Sequence, residues 1–200
     1  MKTIDCKQGS AEWHTARLGK VTGSQFSNVL NKKTGRKTYM YRLAAERLTD
    51  TPQATYTNPS MEWGVEHEEE ARVTYLEDMA ADVSVPGFIY ISDYVGVSPD
   101  GLVGEDGIIE IKCPNSTTHI NTIIEDTVPS KYLPQIQGIL WVTGRKWCDF
   151  ISYDPRMKKK KFHCIRIERD EEYIENLKLE TDKFIEELNE LIKKVEDKEE

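Results

Sequence analysis

VSPDGLVGEDGIIEIKCP, residues 97–114, is the stretch on which the reading of this chain turns. GIIEIK (107–112) has the period of a β-strand, with Glu110 and Lys112 on one face and Ile111 turned to the core. YVGVS (94–98) reads as the preceding strand, joined to it across a turn through Gly101, Gly104 and Gly107. Such a turn folds Asp100 back beside Glu110. Two carboxylates gathered at a sheet edge repel each other unless a cation neutralises them. Their oxygens suit a hard ion such as Mg²⁺ or Mn²⁺. A lysine at 112 could then orient or help deprotonate an attacking water and stabilise charge on a phosphate. Asp followed by Glu-x-Lys on a strand is the set a metal-dependent phosphodiester hydrolase needs. The same spacing also arises in strands whose charges form a surface ladder, so spacing alone leaves both readings open.

Outward from this stretch, a helix is predicted over about 62–80. Glu68 falls there among Ala71, Tyr75 and Met79 on the apolar stripe, while Glu66, Glu70 and Glu77 fall opposite. A carboxylate aimed at the core demands a partner, which a metal shell or water at the stripe's margin would supply. Gln135, on a helix predicted over 130–143, shares a face with Tyr132, Ile139 and Val142. Its amide meets either a buried polar site or an ordinary core hydrogen bond. Near the N-terminus, Ser10 caps a helix ending near Leu18 and Gly19, and Thr22 and Ser24 precede another helix start at QFSNVL. Arg17 beside those two hydroxyls fits an anion such as a terminal phosphate; plain capping, with Arg17 on the surface, is the commoner use of such hydroxyls.

The remaining segments complete a single domain of 200 residues. A basic loop covers 32–37, a helix about 38–48, a turn-like stretch 49–60, and strands 88–92, 148–153 and 161–167. RMKKKK (156–161) connects the last two strands. The chain closes in an acidic helix over about 170–195, whose Ile174, Leu177, Thr181, Phe184, Leu188, Leu191 and Val195 step three and four apart. That spacing serves a core-facing helix or a coiled-coil seam. Helices flanking a central mixed β-sheet make this an α/β (α+β) chain.

Composition removes several classes. No apolar run is long enough to span a membrane, and MKTIDCKQG lacks the apolar stretch of a secretory leader. The four cysteines have no paired spacing and read as reduced structural thiols, and the four histidines suggest neither a metal site nor a catalytic relay. No phosphate-binding G-x-x-x-x-G-K-[ST] loop and no G-x-S-x-G elbow occurs. The net charge of −8 does not exclude a nucleic-acid partner, because residues 168–200 carry 14 acidic and 6 basic groups and the rest is neutral overall.

Four blocks, QGSAEWHTARLGKVTGSQ (8–25), EWGVEHEEEAR (62–72), VSPDGLVGEDGIIEIKCP (97–114) and YLPQIQGILWVTGRKW (132–147), resemble the phage lambda exonuclease-like (YqaJ-type) alkaline exonucleases. These belong to the PD-(D/E)XK nuclease superfamily, with a restriction-endonuclease-like core. YDPRMK (153–158) and IERDEEY (167–173) extend the likeness in order. The resemblance implies a 5′→3′ exonuclease that digests one strand of linear double-stranded DNA to mononucleotides and leaves a 3′ single-stranded overhang.

Carried over by position, Asp100, Glu110 and the Ile111 carbonyl would hold two Mg²⁺ ions, with Mn²⁺ able to substitute. Lys112 would activate water, supported by Glu68 and Gln135. Arg17, Thr22, Ser24 and Ser98 would bind the 5′-phosphate, Trp13 would stack near the terminal nucleotide, and Met61 would serve as an apolar wedge. The resemblance also implies ring-shaped homotrimers around the DNA, with segments 32–37 and 156–161 lining or flanking the channel. A single-strand annealing protein as partner, and action in a bacterial host cytoplasm from a phage or prophage gene, follow from the same likeness. A restriction-like endonuclease on this fold would have no use for an end-phosphate pocket. An inactive DNA-end clamp would not need Asp100, Glu110 and Lys112 together.

Overall fold

The computed structural model describes residues 1–31, 34–53 and 58–198. Its centre is β7 (Gly107–Lys112), flanked on one side by β6 (Gly101–Val103) and on the other by β8 (Trp147–Tyr153). With β3 (Val83–Ser84) outside β6 and β9 (Phe162–Glu168) outside β8, these form a mixed five-stranded sheet in the order β3-β6-β7-β8-β9. Within this sheet only the β7–β8 pair is parallel. Parallel neighbours need a long crossover, and here it carries α5 (Ser116–Glu125) and α6 (Leu133–Thr143). A second, four-stranded sheet in the order β1-β4-β5-β2 joins β1 (Lys2–Ile4), β4 (Phe88–Tyr90), β5 (Val95–Val97) and β2 (Val21–Thr22).

Four sequence expectations change. The strand over 94–98 does not pair with 107–112; it lies in the second sheet, and Gly101–Val103, expected as turn, is the strand that pairs with β7. Glu110 therefore sits on a central strand, fully buried, and not at a sheet edge. From Thr34 onward the basic loop is the first turn of α3 (Thr34–Thr49), and Arg36 there is bound to Glu187 at 2.8 Å; Lys32 and Lys33 lie outside the described residues. The helix expected from 62 starts at Pro59, because Asn58 caps the Met61 N–H and proline suits a first helical turn.

Two apolar clusters sandwich the five-stranded sheet. On one side α4 (Pro59–Met79) lays Ala71 and Tyr75 over Ile109, Ile111 and Ile151. On the other, Ile108, Cys148 and Phe150 meet α2 (Phe26–Leu30), α3, α6 and α7 (Glu171–Glu196). The stripe of α7 faces its own domain: Ile174, Leu177, Thr181, Phe184 and Leu188 are all buried, and Phe184 stacks on Tyr39 at 5.6 Å. Only towards Val195, half-exposed, does the stripe leave the core. Among the described residues no helix is long and apolar enough to cross a membrane, and all four cysteines are free thiols.

Because Phe184 is fully buried and stacks on Tyr39 of α3, Phe184→Ala is expected to lower unfolding free energy by about 3–5 kcal/mol. Urea titration checks this; a loss below about 1 kcal/mol would show that α7 does not seal the core.

Candidate active site

Pairing of β6 with β7 sets Gly101 opposite Ile109, which carries Asp100 over the next two residues of β7. Gly101 makes this approach possible, since a Cβ there would lie 2.8 Å from Cγ1 of Ile109, its partner on β7. The Ile111 N–H donates to Asp100 Oδ2 at 2.7 Å, fixing that carboxylate against the strand. One residue back, Glu110 points to the α6 side, where its Oε1 accepts from Lys112 Nζ at 2.5 Å and from Gln135 Nε2 at 2.6 Å. Its other oxygen, Oε2, is buried and has no hydrogen-bond partner among the described residues. The amide of Gln135 thus serves the buried polar site. Glu68 is half-buried on α4, bonded by Arg72 at 2.6 Å.

Burial, reinforced by the nearby Asp100 charge, raises Glu110 to about 8 and Glu68 to about 7. Burial also raises Asp100, against the pull of Lys112. For Lys112, burial disfavours the charge, but Glu110 and Asp100 overcome it and hold the ammonium protonated. Fully ionised, these three carboxylates would outnumber the lysine and the arginine beside them, so they hold either protons or a cation. Among the described residues no set of three or more His, Cys, Asp or Glu side chains is arranged as a ready metal cage. An ion here would rest on two carboxylates and a main-chain oxygen. The orphaned Glu110 Oε2 and the all-oxygen donors fit a hard divalent cation. Ile111, Lys112 and Glu68 line a cleft of about 500 Å³, with Met61, Lys131 and Tyr132 around it.

A second group adjoins the first along the chain. Trp13 Nε1 donates to Ser98 Oγ at 2.8 Å, and the Arg17 guanidinium lies 3.8 Å from the Trp13 ring centroid. Gln8 Nε2 donates to the Pro99 carbonyl at 3.0 Å, tying the N-terminal segment to the residue before Asp100. Burial draws Arg17 down to about 10, and it has no ion-pair partner among the described residues. Parallel pairing of β2 and β5 places Thr22 opposite Gly96, two residues before Ser98. Thr22 makes no side-chain capping bond to the 3₁₀ turn Gly23–Gln25 that contains exposed Ser24. The capping reading therefore fails for Thr22. Met61 stands apart from this group, exposed on the first turn of α4 at the rim of the cleft.

Two residues escaped the sequence reading. Arg72, buried, donates to Glu68, Glu69 and the Asp100 carbonyl, bracing Asp100 from α4. Its signal was the four-residue spacing from Glu68 on one helix. His119, read as incidental, is fully buried and bonded on both ring nitrogens.

Mixed sheets flanked by helices, with Asp100 hairpinned onto Glu110-Ile111-Lys112, give the α/β architecture of the alkaline exonucleases. Residues 12–146 match the YqaJ-like viral recombinase domain, and the chain belongs to that family. It is similar to the alkaline exonuclease LHK-Exo from Laribacter hongkongensis, with 41% identity and a TM-score of 0.89 over 94% of this chain and 96% of that one. LHK-Exo in complex with dAMP matches with the same identity and TM-score over 93% of this chain and 96% of that one. The phage-related exonuclease from Haemophilus somnus 129PT shares the fold, at 18% identity and a TM-score of 0.71 over 88% of this chain and 96% of that one. The Escherichia coli K12 protein ExoD is 34% identical over 70 residues, 35% of this chain and 80% of that protein.

Raised carboxylate pKa values mean that the metal-free folded chain holds protons the unfolded chain has lost between about pH 4.3 and pH 8. Its stability should therefore fall as pH rises through this window. A bound cation competes with those protons and stabilises by mass action. Tm in chelator should drop from about pH 6 to pH 9, and millimolar Mg²⁺ should restore it most at the alkaline end. Asp100→Asn should abolish the Mg²⁺ shift. A shift that survives this substitution would place the ion elsewhere.

Proposed function

We propose that this chain is a Mg²⁺-dependent 5′→3′ exonuclease that digests one strand of linear double-stranded DNA to mononucleotides and leaves a 3′ single-stranded overhang. The observation that carries the reading is the adjacency of two unlike sites. The Trp13–Arg17–Ser98 group, whose guanidinium has no ion-pair partner among the described residues, lies two residues from Asp100 in the carboxylate cluster. An anion pocket held at fixed distance from a hydrolytic centre measures off substrate from its end, which an endonuclease does not require. The dAMP complex of the relative LHK-Exo agrees with release of mononucleotides.

In this mechanism Asp100, Glu110 and the Ile111 carbonyl hold two Mg²⁺ ions, and Mn²⁺ can take their place. Bound there, the ions supply charge neutralisation at the phosphate and acidify water. Arg17, Thr22, Ser24 and Ser98 take the 5′-phosphate and so set the scissile bond over the cluster, while Trp13 stacks on the terminal nucleotide. With Asp100 and Glu110 neutralised by the ions, Lys112 would lose the charges that hold its proton, release that proton to solvent, and as the neutral amine accept one from the attacking water. Glu68 and Gln135 orient that water, and Met61 parts the end of the duplex.

The same reading extends to a single nuclease domain acting as a ring-shaped homotrimer. It would work with a single-strand annealing protein in phage-type recombination, in the cytoplasm of a bacterial host.

The test uses a linear duplex with label at either strand end and a 5′-phosphate or 5′-hydroxyl. Mononucleotides should leave the 5′ ends only with Mg²⁺, and faster with phosphate. Lys112→Ala should lower turnover by on the order of 100-fold or more while leaving end binding in place. Arg17→Ala should reduce the phosphate-to-hydroxyl rate ratio by about tenfold or more, the worth of a charge-assisted hydrogen bond. Equal cutting of circular DNA, or full activity in either variant, would contradict this assignment.

A further inference from the structure

The basic connection between β8 and β9 takes no part in the two groups described above. β7 and β8 run parallel with Lys112 opposite Ser152, so the connection leaves the sheet at the end where Lys112 stands. Lys158, Lys159, Lys160 and Lys161 are all exposed, and among the described residues none has an ion-pair partner. Only Arg156 is neutralised, by buried Asp154 at 2.7 Å. Four adjacent uncompensated ammonium groups repel one another and favour a polyanion over any single acidic group.

The connection is also pinned. His119, on α5, spans two attachment points, with Nδ1 2.7 Å from Ser152 Oγ and Nε2 2.8 Å from the Lys160 carbonyl oxygen. A carbonyl only accepts, so Nε2 donates to it. That bond secures Lys160 at φ 59, a left-handed conformation that a side chain other than glycine seldom adopts. At the other end Asp154 accepts from Ser116 Oγ at 2.6 Å, and its N–H donates to the Lys161 carbonyl at 2.8 Å. A chain segment of four lysines would swing free without these bonds. Here both ends are fixed to α5 and to Ser152, the register partner of Lys112.

We propose that this pinned tetralysine hairpin is a clamp on the phosphate backbone of the duplex still to be cut. His119 is the positioning residue that holds it at the Lys112 end of the sheet. Identifying the polyanion as DNA rests on the nuclease reading above.

The test is duplex binding by the full chain in chelator, where cleavage plays no part, over a series of salt concentrations. The probe is a blunt fluorescent duplex of about 40 base pairs. Each lysine that meets a phosphate contributes a slope of about −0.9 in log affinity against log salt. Replacing Lys158, Lys159, Lys160 and Lys161 together by glutamine should make the slope shallower by about 2–4 and cost tenfold or more in affinity at low salt. The wild-type thermal shift with Mg²⁺ should persist, showing an intact fold. His119→Phe should reproduce the shallower slope, and His119→Gln, which keeps a donor for the Lys160 carbonyl, should retain the wild-type slope.

A wild-type slope in the lysine variant would overturn the clamp, and a wild-type slope in His119→Phe would overturn the positioning role. Steep wild-type binding without Mg²⁺-dependent cleavage would refute the nuclease reading and uphold the clamp.

Discussion

Glu110 is a carboxylate on a central strand with no exposure to solvent, and the organisation of this protein follows from accommodating it. An isolated buried charge is costly enough that a protein either neutralises it or surrounds it with donors. Lys112 and Gln135 satisfy one oxygen, and the other is left without a partner. Asp100 makes matters worse electrostatically, because the β6–β7 pairing presses a second carboxylate onto the same strand. The folded chain thus gathers more carboxylates at one point than its own cations match, which a proton or a divalent cation would relieve.

The same constraint joins the two sheets. Ser98 and Asp100 are separated by Pro99, whose carbonyl is held by Gln8, and Ser98 is held by Trp13. The segment that leaves β5 therefore ends in the carboxylate cluster and begins at the Trp13–Arg17–Ser98 group. Their separation is set by three residues of restrained backbone, so it does not depend on loop motion. Arg72 braces the far side by donating to the Asp100 carbonyl. Under the proposed function, such a fixed spacing would give a step of constant length along the nucleic-acid strand.

The cluster was legible in the sequence because strand periodicity alone sets Glu110 and Lys112 on one face, and Glu68 and Gln135 stood out as polar residues on apolar stripes. The topology was less legible. Gly101–Val103 is a strand of three residues beside two glycines, and its turn chemistry masked its pairing with β7. α5 was missed because it is inverted: His119 and Thr122 face inward while Ile120 and Ile124 face solvent, so hydrophobic periodicity points the wrong way. The heptad stripe of α7 favoured a core-facing helix while still allowing a coiled coil, and the presence of α2, α3 and α6 beneath it decides between them. Arg36 looked like part of a free basic loop because its partner Glu187 lies 151 residues away.

The most direct measurement of the central claim is a crystal structure of the protein grown with Mn²⁺ and phased on the anomalous signal of that ion. The expected result is Mn²⁺ bonded to Asp100, to Glu110 through the oxygen that now lacks a partner, and to the Ile111 carbonyl, with Lys112 displaced from Glu110. An intact Lys112–Glu110 ion pair with no anomalous density beside it would contradict the account.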